Sequence, residues 1–189
     1  MIIPYTDDYF MKQAYLEAKK AYDLDEVPVG AVIVANKQII ARAHNLTEKL
    51  HDVTAHAEVQ AITAASEYLG AKYLNNCTLY VTLEPCPMCA GALYWAQIDK
   101  VIFAARDEKR GAGRIKEGLY HPKTVVSNGV MAKECAELLT DFFKTKRIKP
   151  PLKFLGNKTL KQYMNNKECP ELRNPTRLKM LFLPWAISI

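Results

Sequence analysis

Two short segments restrict how this chain can fold: Thr54-Ala55-His56-Ala57-Glu58 and Glu84-Pro85-Cys86-Pro87-Met88-Cys89. A Cys-x-x-Cys at the start of a helix brings two sulfurs to one point, and the helix N-terminus there favours thiolate over thiol. Thioredoxin-like redox sites share this spacing, but redox use needs no partner histidine. Here His56 and Glu58 open a second predicted helix and can face whatever lies at its N-terminus. Two helix starts placed side by side make His56, Cys86 and Cys89 a set of three metal ligands. Three protein ligands plus one water is the pattern of a catalytic zinc site, whereas a structural site closes with four. Cys77 and Cys135, the nearest candidates for a fourth ligand, fall on a strand edge and in a helical stripe and read as core residues. Imidazole with thiolate selects zinc, which lowers the pKa of bound water so that hydroxide exists near neutral pH. Glu58 then becomes the candidate that takes the water proton and delivers it to a substrate; alone, it would read as a carboxylate favoured by the helix dipole.

The rest of the pattern supplies a scaffold for two adjacent helix starts. Apolar residues Phe10, Met11, Ala14, Tyr15, Ala18 and Ala21 recur at helical spacing over 6–22, with Thr6 or Asp7 as cap. Val27–Val34 and Gln38–Ala43 read as strands of a hairpin turned at 35–37. A polar loop covers His44–Asp52. Thr54 is the predicted N-cap of a helix over 55–69 that Gly70 ends. Thr78–Thr82 reads as a buried strand. Pro87 opens the helix that carries Cys89, Ala92, Leu93 and Ala96 inward, and Lys100–Ala105 is a further strand. After a glycine-containing loop over 106–123, Val125–Ser127 is a fifth strand, and Asn128-Gly129 a turn. Met131–Arg147 carries a helical stripe at 131, 135, 138, 139, 142 and 143, in which at least one of Phe142 and Phe143 is expected in the core. Strands alternating with helices imply an α/β layered sheet opened by an antiparallel hairpin. The 106–123 connection is long enough for the last two strands to run parallel.

Charge divides the chain. Of the net +6, none resides in residues 1–148, which carry 18 basic and 18 acidic side chains; residues 149–189 carry 8 against 2. Pro150-Pro151 marks the boundary, so two parts are expected: residues 1–147 as one folded domain and 148–189 as a basic C-terminal extension of unknown role. Such a tail attracts phosphate backbones or is simply a solvated segment. Five cysteines, an odd number that includes a Cys-x-x-Cys, point away from a disulfide scaffold and toward a reducing compartment. No run approaches the length needed to span a bilayer, and the first residues lack a secretory pattern, so the expected location is cytoplasmic.

The two segments, together with Glu26–Ala31, His44-Asn45, Thr82–Ala92, Ala105–Lys109 and Asp141–Phe143, resemble the cytidine deaminase-like zinc deaminases over roughly residues 5–147. The likeness is strongest to the bacterial tRNA-specific adenosine deaminases. That resemblance implies a cytidine deaminase-like three-layer α/β/α sandwich with a central mixed five-stranded sheet, and one Zn2+ per subunit. It implies a hydrolase that converts the wobble adenosine of a tRNA anticodon stem-loop to inosine. In that reaction a zinc-bound hydroxide attacks C6, Glu58 shuttles protons and ammonia leaves. It further implies that Asn45 hydrogen-bonds the flipped nucleotide, Val29 packs on its base, the Ala57 main chain helps position the purine, and Asp107 contacts ribose and backbone beside it. A homodimer is implied, with the Met88–Ala96 helix near the interface. One stretch departs from the family: its usual Gly-Ala-Ala-Gly-Ser is here the shorter, more basic Gly111-Ala112-Gly113-Arg114. Two other readings use the same residues. One is a deaminase of a free base or nucleoside of guanine or cytosine type, consistent with the neutral charge of residues 1–148. The other is a non-catalytic zinc-containing RNA-binding module, which would have no need of Glu58.

Overall fold

The hairpin sets the direction of every other strand. In this computed structural model, which describes residues 5–115 and 118–148, helix α1 (Asp7–Asp23) precedes strands β1 (Gly30–Ala35) and β2 (Gln38–His44). Asn36 and Lys37 both take positive φ, 50° and 63°, the two-residue turn whose twist suits a tight hairpin. A register shift at Ile33/Val34 puts a bulge into the pair. The short helix α2 (Thr47–Leu50) and helix α3 (Ala57–Leu69) lead to β3 (Cys77–Leu83). Then come α4 (Pro87–Ala96), β4 (Lys100–Ala105), a 3₁₀ turn at Ala112–Arg114, β5 (Val125–Asn128) and α5 (Ala132–Ile148).

The strand order is β2-β1-β3-β4-β5. β1 is antiparallel to both β2 and β3, while β3, β4 and β5 are mutually parallel. Four strands therefore point one way and only β1 runs against them. The ends of β2, β3 and β4 and the start of β1 consequently share one edge of the sheet, the edge where open α/β sheets bind ligands. Because α3 follows β2 and α4 follows β3, both helices begin at that edge.

Alternating strand residues split the core in two. Ala31, Ile33, Leu79, Val81, Val101 and Phe103 pack with Ala57, Ala61 and Ala65 of α3 and with Leu93 and Ala96 of α4. Val32, Val34, Tyr80, Ile102 and Ala104 pack with Phe10, Met11 and Ala14 of α1 and with Cys135 of α5. This is the three-layer α/β/α sandwich around a mixed five-stranded sheet that the resemblance implies. Cys77 and Cys135 are core residues, 1% and 4% exposed.

Several local expectations are corrected. Val27–Val29 lies outside β1, because the Val29 N–H turns back to the Val27 carbonyl at 2.7 Å across Pro28. Thr54 is not the N-cap of α3: its N–H and hydroxyl both donate to Asp52 Oδ1, at 2.8 and 2.7 Å, and His56 takes the cap position. The loop after His44 contains α2. On α4 the buried alanines are Ala90 and Ala96, with Ala92 only partly covered. Phe142 is buried and Phe143 is 37% exposed. The extension at 149–189 and its Pro150-Pro151 boundary lie outside the described residues. Among the described residues no helix is long and apolar enough to cross a membrane.

Alanines at 14 and 18 let α1 lie directly on β1. A Cβ added at Gly30 would stand 2.2 Å from both the Ala14 carbonyl oxygen and the Ala18 nitrogen, which are backbone atoms that cannot swing aside. Gly30→Ala is therefore expected to lower unfolding free energy by at least the 1–3 kcal/mol (roughly) typical of overpacking, read as a reduced midpoint in urea denaturation.

Candidate metal centre

Both helices at the ligand edge begin in the same unusual way. His56 is the N-cap of α3 (φ −70°, ψ 152°) and Cys86 the N-cap of α4 (φ −71°, ψ 170°), and neither side chain makes the usual capping hydrogen bond. An N-cap side chain ordinarily satisfies one of the orphan N–H groups of the first turn. Here both are turned instead toward a common point. Pro87 at the first helical position presets the turn, lacks an N–H, and brings Cys89 round onto the same side as Cys86.

His56 Nδ1 lies 3.8 Å from Cys86 Sγ and 3.4 Å from Cys89 Sγ, and the two sulfurs are 3.7 Å apart. A tetrahedral ion with Zn–S of about 2.3 Å and Zn–N of about 2.0 Å has S···S edges of about 3.8 Å and S···N edges of about 3.5 Å. The triangle is thus the right size for three corners of such a tetrahedron. Among the described residues it is the only cluster of three or more His, Cys, Asp or Glu side chains arranged to hold an ion. Cys89 is buried, while His56 and Cys86 are partly exposed.

Close contact among the three side chains sets their charge. The Cys89 thiol and the His56 ring beside it bring Cys86 down to about 4 despite its burial. Cys89 is pushed up, by its hydrogen bond with Cys86 and by burial. The contact with Cys86 raises His56. Glu58 sits in the first turn of α3 and is 4% exposed; burial pushes its carboxyl up, with the His56 charge working in the opposite direction.

The other residues singled out in the sequence surround the same edge. Val29, 8% exposed, precedes β1, and its carbonyl accepts the Asn45 N–H at 3.0 Å. Asn45 follows β2 and is 5% exposed. Ala57, fully buried, joins His56 to Glu58. Asp107 follows β4, and its Oδ1 accepts the N–H groups of Lys109 and Arg110 at 3.0 and 2.9 Å, so it also builds the turn it begins.

Three residues without an expected role organise these. Glu26 is wholly buried and accepts from Asn45 Nδ2 (3.2 Å), Thr47 Oγ1 (3.2 Å) and the Lys49 N–H (2.8 Å). A carboxylate only accepts, so the Asn45 amide must turn Nδ2 inward, which leaves Oδ1 as the atom presented elsewhere. Glu84 accepts from the N–H groups of Asp107 (3.0 Å) and Gly113 (2.9 Å). A Cβ at Gly111 or Gly113 would strike that carboxylate, at 2.4–2.8 Å, so the shortened loop needs both glycines. Gln60 Nε2 donates to the carbonyls of His44 and Ala55, at 3.0 and 3.3 Å, and clamps the Asn45 segment to the one that carries His56. The spacing of Glu26 from Asn45 gives no sign of the bond; a charged residue immediately before the apolar run Val27–Val34 was the available signal.

Comparison with known proteins agrees with this centre. The family model described as the cytidine and deoxycytidylate deaminase zinc-binding region matches residues 4–105, and the chain belongs to that family of zinc-dependent deaminases. It is 46% identical over 148 residues to a tRNA-specific adenosine deaminase of Bacillus subtilis (strain 168), covering 76% of this chain and 92% of that protein. It is 47% identical over 145 residues to a tRNA-specific adenosine deaminase of Aquifex aeolicus (strain VF5), covering 74% and 95%. A solved structure from studies of A-to-I editing by tRNA:A34 deaminases superposes with a TM-score of 0.63 at 42% identity, covering 69% of this chain and 98% of that one. His56, Cys86 and Cys89 accordingly are positioned to hold the zinc ion of the family.

Burying Glu58 has a measurable cost. Its carboxyl is raised above the ordinary 4.5 in the folded chain, so folding favours the protonated form. The site is therefore least strained below the unfolded pKa and loses stability as pH rises from there toward the folded value. Metal-free Glu58→Gln is expected to be more stable than the metal-free parent at about pH 7, with the advantage shrinking as pH falls toward 4.5. Chemical denaturation across that range reads the difference.

Proposed function

We propose that this enzyme deaminates the wobble adenosine of tRNA to inosine. The observation that carries the reading is a three-ligand metal triangle with a buried carboxylate, Glu58, two residues past His56 in the first turn of α3. The substrate class is supported by near full-length kinship with tRNA-specific adenosine deaminases.

The net reaction replaces the C6 amino group by oxygen: water adds at C6, the C6–N6 bond breaks, and ammonia departs. A zinc ion held by His56, Cys86 and Cys89 lowers the pKa of a water bound to it. Glu58 moves both protons of the added water in turn, the first to the purine ring nitrogen, where inosine keeps it, and the second to the departing amine. Asn45, oriented by Glu26, offers Oδ1 to a donor on the flipped nucleotide. Val29 packs against the base, the Ala57 main chain positions the purine, and Asp107 meets the ribose and backbone beside it.

Recognition of the anticodon stem-loop draws on charge outside the neutral first 148 residues as well as on Lys109, Arg110 and Arg114. The basic extension at 148–189, a separate part of the chain in this reading, adds phosphate attraction. The enzyme acts as a cytoplasmic homodimer. The outward residues Met88, Tyr94 and Trp95 on α4, 38%, 37% and 77% exposed, support an interface there.

The zinc-loaded protein is expected to form inosine on an anticodon stem-loop with adenosine at the wobble position, more weakly as salt rises. Glu58→Ala should retain zinc and lose at least about 100-fold in rate. Full zinc occupancy with no inosine would contradict the RNA substrate and direct the assay to free guanine, cytosine and their nucleosides.

A further inference from the structure

Gln60 stands one turn along α3 from His56, whose carbonyl accepts its N–H at 3.1 Å. Its side chain reaches back over the start of the helix, where Nε2 donates to the carbonyls of His44 and Ala55 at 3.0 and 3.3 Å. An amide NH2 has two hydrogens, and here each has one main-chain oxygen to meet. A carboxylate of the same size has nothing to donate when ionised, and a methionine of similar length has no donor at all. The two carbonyls belong to the residues immediately before Asn45 and His56. Gln60 therefore ties the segment that carries Asn45 to the segment that carries His56.

Between those two points the chain leaves the sheet edge and comes back, and residues 48–54 along the way are all exposed. Glu26 anchors the outgoing end, through Asn45, Thr47 and the Lys49 N–H. Among the described residues, one main-chain bond joins residues 44–46 to residues 55–56, from the Leu46 N–H to the Ala55 carbonyl at 3.1 Å. Two segments joined by one bond can pivot about it. Among the described residues, Gln60 is the one side chain that bonds to both, and its two bonds turn the pivot into a fixed junction.

We propose that Gln60 is a positioning residue of the deamination, fixing the spacing between Asn45, which binds the nucleotide, and His56, which holds the metal. The inference rests on the function proposed above. A nucleotide gripped by Asn45 meets the reacting centre only when that spacing is right, and a misplacement of about 1 Å costs on the order of 100-fold in rate.

The test compares the full-length, zinc-loaded protein with Gln60→Met, Gln60→Glu, Asn45→Ala and the Gln60→Met/Asn45→Ala pair. Inosine formation on the anticodon stem-loop is followed in a single turnover, zinc affinity by chelator competition, and exchange of the Leu46 amide hydrogen by NMR. Gln60→Met is expected to lose about 10- to 100-fold in rate, to keep its zinc, and to exchange the Leu46 amide faster. Gln60→Glu should fall at least as far. In the Asn45→Ala background Gln60→Met should cost little, because no grip is left to misplace; such non-additivity marks residues that act through one another. An unchanged rate in both Gln60 variants would overturn the proposal. So would an equal loss with and without the Asn45 amide, which traces the effect to the fold at large, or a loss of zinc, which traces it to the His56 ligand. A zinc-loaded parent that forms no inosine would instead overturn the function proposed above. Leu46 exchange still reads the junction in that case, and exchange unmoved by Gln60→Met would overturn it, which keeps the two failures apart.

Discussion

The structure depends on the convergence of two helix N-termini at one sheet edge. His56 and Cys86 each occupy an N-cap and leave their own helix uncapped in order to face the other. Each helix start contributes partial positive charge and unpaired N–H groups, and together they favour thiolates and a nearby carboxylate. That convergence follows from topology: with only β1 reversed, the ends of β2 and β3 emerge side by side and launch α3 and α4 from the same edge. The small residues Ala57, Ala61 and Ala65 along α3 keep it close enough to the sheet for the ligands to meet.

Around that centre, carboxylates act as connectors, Glu17 and Glu26 buried and Glu84 partly so. Glu26 fixes the loop that bears Asn45, and Glu84 fixes the loop that bears Asp107. Glu17, 3% exposed, gathers Lys20 at 2.8 Å and His44 at 3.3 Å beneath the end of β2. Charges withdrawn from water are costly unless fully bonded, so each concentrates several donors and removes freedom from the segment it holds. The short basic run Gly111–Arg114 is a case in point. It is a defined turn because Glu84 accepts the Gly113 N–H and two glycines leave room for the carboxylate.

Much of this was legible in the sequence because it depends on local chemistry. The ligand set, Glu58, the hairpin, and α1, α4 and α5 follow from spacing, caps and helical stripes, and the parallel pairing of β4 with β5 follows from connection length. The misses lie where a tertiary contact outbids a local preference. Thr54 looks like the better cap for α3, but Asp52 takes its hydroxyl and the metal site takes His56. The expectation that at least one of Phe142 and Phe143 is in the core holds: Phe142 is buried and meets Tyr22 of α1, with ring centroids 5.7 Å apart. The bonds of Glu26 join residues distant along the chain, and no periodicity encodes them.

The central claim is that this chain binds one zinc ion through three protein ligands and keeps a fourth position for water. X-ray absorption at the zinc edge of the loaded protein tests it most directly. The account predicts two sulfurs at about 2.3 Å and two lighter atoms, nitrogen and oxygen, at about 2.0–2.1 Å. A shell of three or four sulfurs, or of none, would contradict it.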